Sequence, residues 1–119
     1  MKLLTATIRA QLIRNGRLRQ DFASEGRCEP DFLPVVKLFT PDAGCTWLLT
    51  ELDPHDPDLA FGLCDLGMGC PELGSVRISE LETARGPLGL PIERDLHFTA
   101  ERTLSAYAAE AREHGLIKA

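Results

Sequence analysis

The chain has 119 residues, 44% hydrophobic and 26% charged, the balance of an ordinary globular domain that needs neither metal nor disulfide to fold. Its formal charge of −5 argues against a dedicated nucleic-acid binder, because phosphate neutralisation is the main source of such affinity. No apolar run approaches the roughly 20 residues that span a bilayer, and Arg9 and Arg14 interrupt any export-signal core behind Lys2, so the expected compartment is the cytoplasm.

In chain order, residues 5–15 (TATIRAQLIRN) carry Ile8 and Leu12 four apart, with Leu4 extending the stripe backwards. This spacing predicts an amphipathic helix capped by Thr5 and ended by Gly16. Residues 20–34 have no period and contain two prolines, and so read as a loop. VVKLF, 35–39, is short, β-branched and bounded by Pro34 and Pro41, a strand signal. The turn TPDAG follows, with Pro41 presetting φ. TWLLTEL, 46–52, has no purely polar face and reads as an interior strand.

DPHDPD, 53–58, reads as a loop. LAFGLCDL, 59–66, reads as a strand in which Gly62 signals a bulge or a close backbone approach. GMGCPELG is a turn cluster, and SVRI, 75–78, a short strand. Ser79 and Glu82 fit a capping box opening a short helix that stops at Gly86 and Pro87. LPIERDLHF, 90–98, alternates as a fifth strand or extended segment. TLSAYAAEAREHG, 103–115, predicts a helix with Leu104, Tyr107, Ala108 and Ala111 on one face. The strand connections are too short for helical crossovers. The expected fold is therefore α+β: a single domain, 1–119, with an antiparallel sheet of four to five strands, an N-terminal helix, a short middle helix and a C-terminal helix.

The charge is unevenly spread. Residues 1–27 carry Lys2, Arg9, Arg14, Arg17, Arg19 and Arg27 against Asp21 and Glu25, whereas the rest carries seven basic and sixteen acidic side chains. A basic first segment on an acidic body could meet an acidic partner, pack on its own acidic neighbours or stay solvated. The four cysteines, Cys28, Cys45, Cys64 and Cys70, form no C-x-x-C pair and read as free thiols, some of them filling space.

Among possible chemistries, the glycine-rich stretch 62–74 lacks both G-x-G-x-x-G and G-K-[ST], so turn glycines explain it better than a phosphate loop. Asp53, His55, Asp56 and Asp58 crowd one loop but do not fit an EF-hand, and no metal or cofactor is expected. A Cys64 or Cys70 nucleophile with His97 and Asp95 can be drawn, but no spacing demands it. Glu51 and Asp65 share a face in one hairpin register and lie on opposite faces after a one-residue slip. In the first register they could act as acid and base, or simply hold turns and arginines. A ligand pocket on this sheet would gather Trp47, Glu51, Asp65, Glu72, Arg94 and His97.

The blocks KLFTPDAG, TWLLTELDP, FGLCDLG, PELG and RDLHF resemble a domain-of-unknown-function family of small bacterial proteins common on plasmids and integrative conjugative elements. The resemblance spans roughly residues 1–117. It implies genetic context rather than chemistry, for no activity attaches to the family. Its members often carry an aromatic residue at the position of Cys70 and alanine or glycine at that of Cys45, which implies that these thiols are not a shared site. The resulting expectation is a non-enzymatic cytoplasmic accessory protein of a mobile genetic element. It would bind another protein, in plasmid maintenance or in countering host defence. The alternative is a small enzyme or ligand-binding domain with a carboxylate-lined pocket around Glu51 and Asp65. A third reading, DNA binding through the first helix, would show as affinity falling steeply with salt.

Overall fold

The computed structural model describes residues 3–119; Met1 and Lys2 of the basic segment lie outside the described residues. Three helices and five strands follow in the order α1 (Ala6–Ser24), β1 (Val36–Phe39), β2 (Thr46–Asp53), β3 (Asp56–Asp65), β4 (Glu72–Arg77), α2 (Ile78–Thr83), β5 (Glu93–Arg94) and α3 (Leu104–His114). The strands form one antiparallel sheet in the order β4-β3-β2-β1-β5. The expected α+β architecture is thus the observed one.

The sheet is the middle of three layers. On one face α1 and α2 close a core of Leu12, Ile78 and Leu81 over Val36, Leu38, Trp47, Leu49, Leu52 and Ala60. On the other face α3 lays Leu104, Tyr107, Ala108 and Ala111 on Leu48 and Leu63. β2 is covered on both faces, and Trp47 to Leu52 are all buried, as the mixed character of TWLLTEL predicts for an interior strand.

Thr5 caps α1, its hydroxyl accepting the Ile8 amide at 3.1 Å. Gly16, however, does not end the helix. It lies inside it, and a Cβ there would overlap the Leu52 carbonyl oxygen. Gly16 lets two backbones touch, and the helix runs on for eight residues to Ser24, the last five of them inside the stretch read as loop. Asn15 beside it donates to the Thr50 carbonyl at 2.8 Å, tying the same turn of α1 to β2.

DPHDPD is mostly strand. Only Pro54 and His55 form the turn, and Asp53 Oδ1 accepts the His55 amide at 2.8 Å. Pro57 is tolerated because the strand is only starting there, before β4 joins it at Leu59. Gly62 is a close approach, as its position predicts: a Cβ would overlap the Leu48 carbonyl oxygen. The bulge itself falls on the neighbouring strand, at Thr50, where the β2–β3 register shifts between Leu49 and Glu51.

β4 begins at Glu72, inside the stretch read as turn, and β5 shrinks to two residues. The capping box at Ser79 does not form. The helix starts at Ile78 with Arg77 at the cap position, two residues earlier than a Ser79 cap requires, and Asp58 of β3 accepts the Ser79 amide at 2.8 Å and its hydroxyl at 2.7 Å. Glu82 instead accepts the Leu3 amide at 3.2 Å. α3 is capped the same way, from afar: Asp31 accepts the amide (3.1 Å) and the hydroxyl of Ser105, and the Phe32 carbonyl accepts the Leu104 amide.

Candidate functional site

The six residues expected to share a pocket are spread over the sheet. Glu72 starts β4 and Arg94 ends β5, at opposite edges. Trp47 is buried in the α1-side core. The register pairs Glu51 with Phe61, and alternation along β3 puts Phe61, Leu63 and Asp65 on one face, so the Thr50 bulge brings Glu51 and Asp65 to the same face. They are held four residues apart along the strand, about 13 Å, and each has its own partners.

Glu51 meets Arg19 of α1, Nε to Oε2 at 2.6 Å, where β2 has run past the start of β1. The guanidinium also pairs with Glu29 at 3.2 Å and sits over the Phe32 and Phe61 rings, 5.8 and 5.6 Å from their centroids. Burial works against its charge, but the hydrogen bond and field of Glu51 outweigh that and hold the Arg19 pKa above its ordinary value. Asp65 is buried, and among the described residues it pairs with no cation. Its Oδ1 accepts the Gly67 amide at 2.9 Å and its Oδ2 the Ile117 amide at 3.0 Å. One carboxylate therefore pins α1 to the sheet, and the other pins the β3–β4 loop and the C-terminal segment.

The nucleophile arrangement does not assemble. Cys64 lies on β3 opposite Trp47 and packs on the α1-side core, and burial pushes its thiol pKa up, away from thiolate. Asp95 and His97 follow β5 on the far edge. There the His97 amide donates to Asp95 at 2.9 Å and, with Lys37 at 3.5 Å, holds the carboxyl below the ordinary range. Among the described residues, no three His, Cys, Asp or Glu side chains gather as a metal set, and no helix is long and apolar enough to cross a membrane.

A different feature does assemble. The antiparallel order brings the β1–β2 turn, the β3–β4 loop, the loop 86–90 and the end of α3 to one end of the sheet. Gly44 and Gly67 touch backbone to backbone, and Gly69 lies against Gly115. Asp42 of the first turn reaches across to loop 86–90, its Oδ2 accepting the Leu88 amide at 2.8 Å and the Leu90 amide at 3.4 Å. Asp42 Oδ1 is buried against Gly86, where a Cβ would overlap it. Gly67, Gly69, Gly89 and Gly115 all take positive φ, the backbone region that side chains disfavour.

These shaped loops carry Leu66, Met68, Leu88, Leu90 and Leu116, five of the nine large apolar side chains exposed among the described residues. Met68 is 76% and Leu88 80% exposed. Isolated surface leucines need no explanation; several on adjoining, braced loops do. The sequence shows FGLCDLGMGCPELG and GPLGL as turn-rich, but not that they adjoin.

The fold and this end define a small α+β domain that holds apolar side chains out on braced turns. The chain belongs to the family described as protein of unknown function DUF2958, whose model matches residues 3–118. No curated protein matches the chain, and no solved structure matches it.

Proposed function

We propose that this chain is a non-enzymatic accessory protein of a mobile genetic element, working in the cytoplasm by docking another protein on its glycine-rich end. The observation that supports docking is the set of exposed Leu66, Met68, Leu88, Leu90 and Leu116 on loops braced by Asp42, Asp65 and glycine contacts. Bracing lowers the ordering cost that a partner would otherwise meet on binding. The mobile-element setting, with plasmid maintenance or countering host defence as the process, rests on the resemblance of the sequence blocks. A non-enzymatic role fits the partners of the buried carboxylates: Glu51 and Asp65 are committed to Arg19 and to backbone amides.

The test is affinity capture from cell lysate, with and without nuclease, using the wild-type chain and M68E and L88E variants. The expected outcome is a stoichiometric protein that survives nuclease and is lost from both variants while they remain folded. A captured protein that binds wild type and variants equally would overturn the assignment of this end.

A further inference from the structure

A cavity of about 300 Å³ lies away from the residues already assigned, between the end of α2 and β5. Its apolar wall is Leu3, Ile92 and Leu96, with Pro91 beside them. Leu3 and Ile92 belong to the buried α1-side core, which fixes that part of the wall, while Leu96 is exposed. Leu3 is further held through its backbone: its amide donates to Glu82 at 3.2 Å and its carbonyl accepts Arg94.

Two arginines, Arg85 and Arg94, line the cavity. Among the described residues neither forms an ion pair. Among the described residues Arg85 donates only to the neighbouring carbonyls of Glu82 and Ala84, and Arg94 only to Leu3. A guanidinium has five N–H donors, so both keep donors to spare. Among the described residues Arg19, Arg27, Arg77 and Arg102 find a carboxylate, and Arg9, Arg14, Arg17 and Arg112 form no ion pair but lie outside this cavity.

We propose that this cavity is a binding site for a small apolar monocarboxylate, its hydrocarbon part against Leu3, Ile92 and Leu96 and its carboxylate on Arg85 and Arg94. The volume is at the lower end of small-ligand pockets, roughly 300–1,000 Å³, which suits a short-chain acid. The planar fork of arginine matches a carboxylate. Glu82 and Glu93 also line the cavity, so its formal charge is zero. That balance accepts one negative charge and disfavours a dianionic phosphate. This proposal does not depend on the docking end.

The experiment is a titration of the uniformly ¹⁵N-labelled full chain, followed by amide shifts, with hexanoate and, separately, with hexanol. The expected result is saturable movement of the Arg85, Ile92, Arg94 and Leu96 amides with hexanoate, and affinity about tenfold weaker for hexanol, the worth of a charge-assisted hydrogen bond. R85Q and R94Q should each weaken hexanoate by a similar factor. R85Q is the cleaner variant, because the side-chain hydrogen bonds of Arg85 among the described residues go only to its near neighbours' carbonyls. Equal affinity for hexanol and hexanoate, hexanoate binding undiminished in R85Q, or no saturable shift at these amides would overturn the proposal.

Discussion

The two ends of the sheet are built on opposite plans. At the β2–β3 hairpin end, charge is spent inside the molecule. Asp53 holds the His55 amide, Asp56 pairs with Arg77 at 3.0 Å, Asp58 caps α2, and the Pro57 carbonyl accepts Arg9. None of the nine large apolar side chains exposed among the described residues sits on that turn. At the glycine-rich end, the polar groups are buried as braces, and the apolar side chains face out. A chain folding only for stability would gain from the reverse placement. The acidic loop, set aside as a metal site already in the sequence, spends its carboxylates on amides and Arg77, and the stretch reading as plain turn is the better candidate for recognition.

The contrast can be broken hardest at Asp65. Replacing it with alanine leaves two amides, Gly67 and Ile117, without their buried acceptor. The expected loss is about 3 kcal/mol in chemical denaturation. A loss below about 1 kcal/mol would mean that water replaces the carboxylate and the brace is weak. Asp42→Ala is expected to cost about 1 kcal/mol. Hydrogen exchange should show the Leu88 amide losing protection while the hairpin end is unchanged. Gly86→Ala should loosen the same loop, because the new methyl group meets Asp42.

A smaller effect concerns acid. Burial raises the Asp31 pKa, but the two hydrogen bonds from Ser105 outweigh it and leave the carboxyl below its ordinary value. A depressed carboxyl contributes stability above the unfolded pKa of about 3.9, and loses it as pH falls through the folded value. Asp31→Asn should therefore melt below wild type at neutral pH, and the gap should close below about pH 4. A gap that persisted in acid would assign the contribution to the Ser105 hydrogen bonds alone. The smallest stability effects belong to M68E and L88E, expected within about 0.5 kcal/mol of wild type, because both side chains already face water.

Much of the fold was legible. Thr5 as a cap, the interior character of TWLLTEL and the close approach at Gly62 each follow from local pattern and hold in the structure. Gly16 was illegible for a physical reason. A glycine after one amphipathic stripe is the usual helix stop, and only the Leu52 carbonyl, 36 residues on, explains why this one sits inside. Ser79 failed as a cap for a similar reason, since Asp58 outcompetes it from another strand. The candidate pocket required the six residues to converge, and convergence depends on strand order and on a bulge at Thr50 that no local signal marks. The Arg19–Glu51 pair was hidden because Arg19 lies beyond the point where the helix was expected to end. The glycine-rich end was visible as separate turns; only the sheet order joins them.

On the reading proposed above, recognition resides at the glycine-rich end and not at the hairpin. The most direct measurement compares nuclease-treated affinity captures by the wild-type chain, M68E and a hairpin-end control, His55→Glu, in which an exposed side chain of the other end is changed. Wild type and the His55 variant are expected to recover the same protein in equal yield, and M68E none. Full recovery by M68E with loss in the His55 variant would contradict it and move recognition to the acidic hairpin.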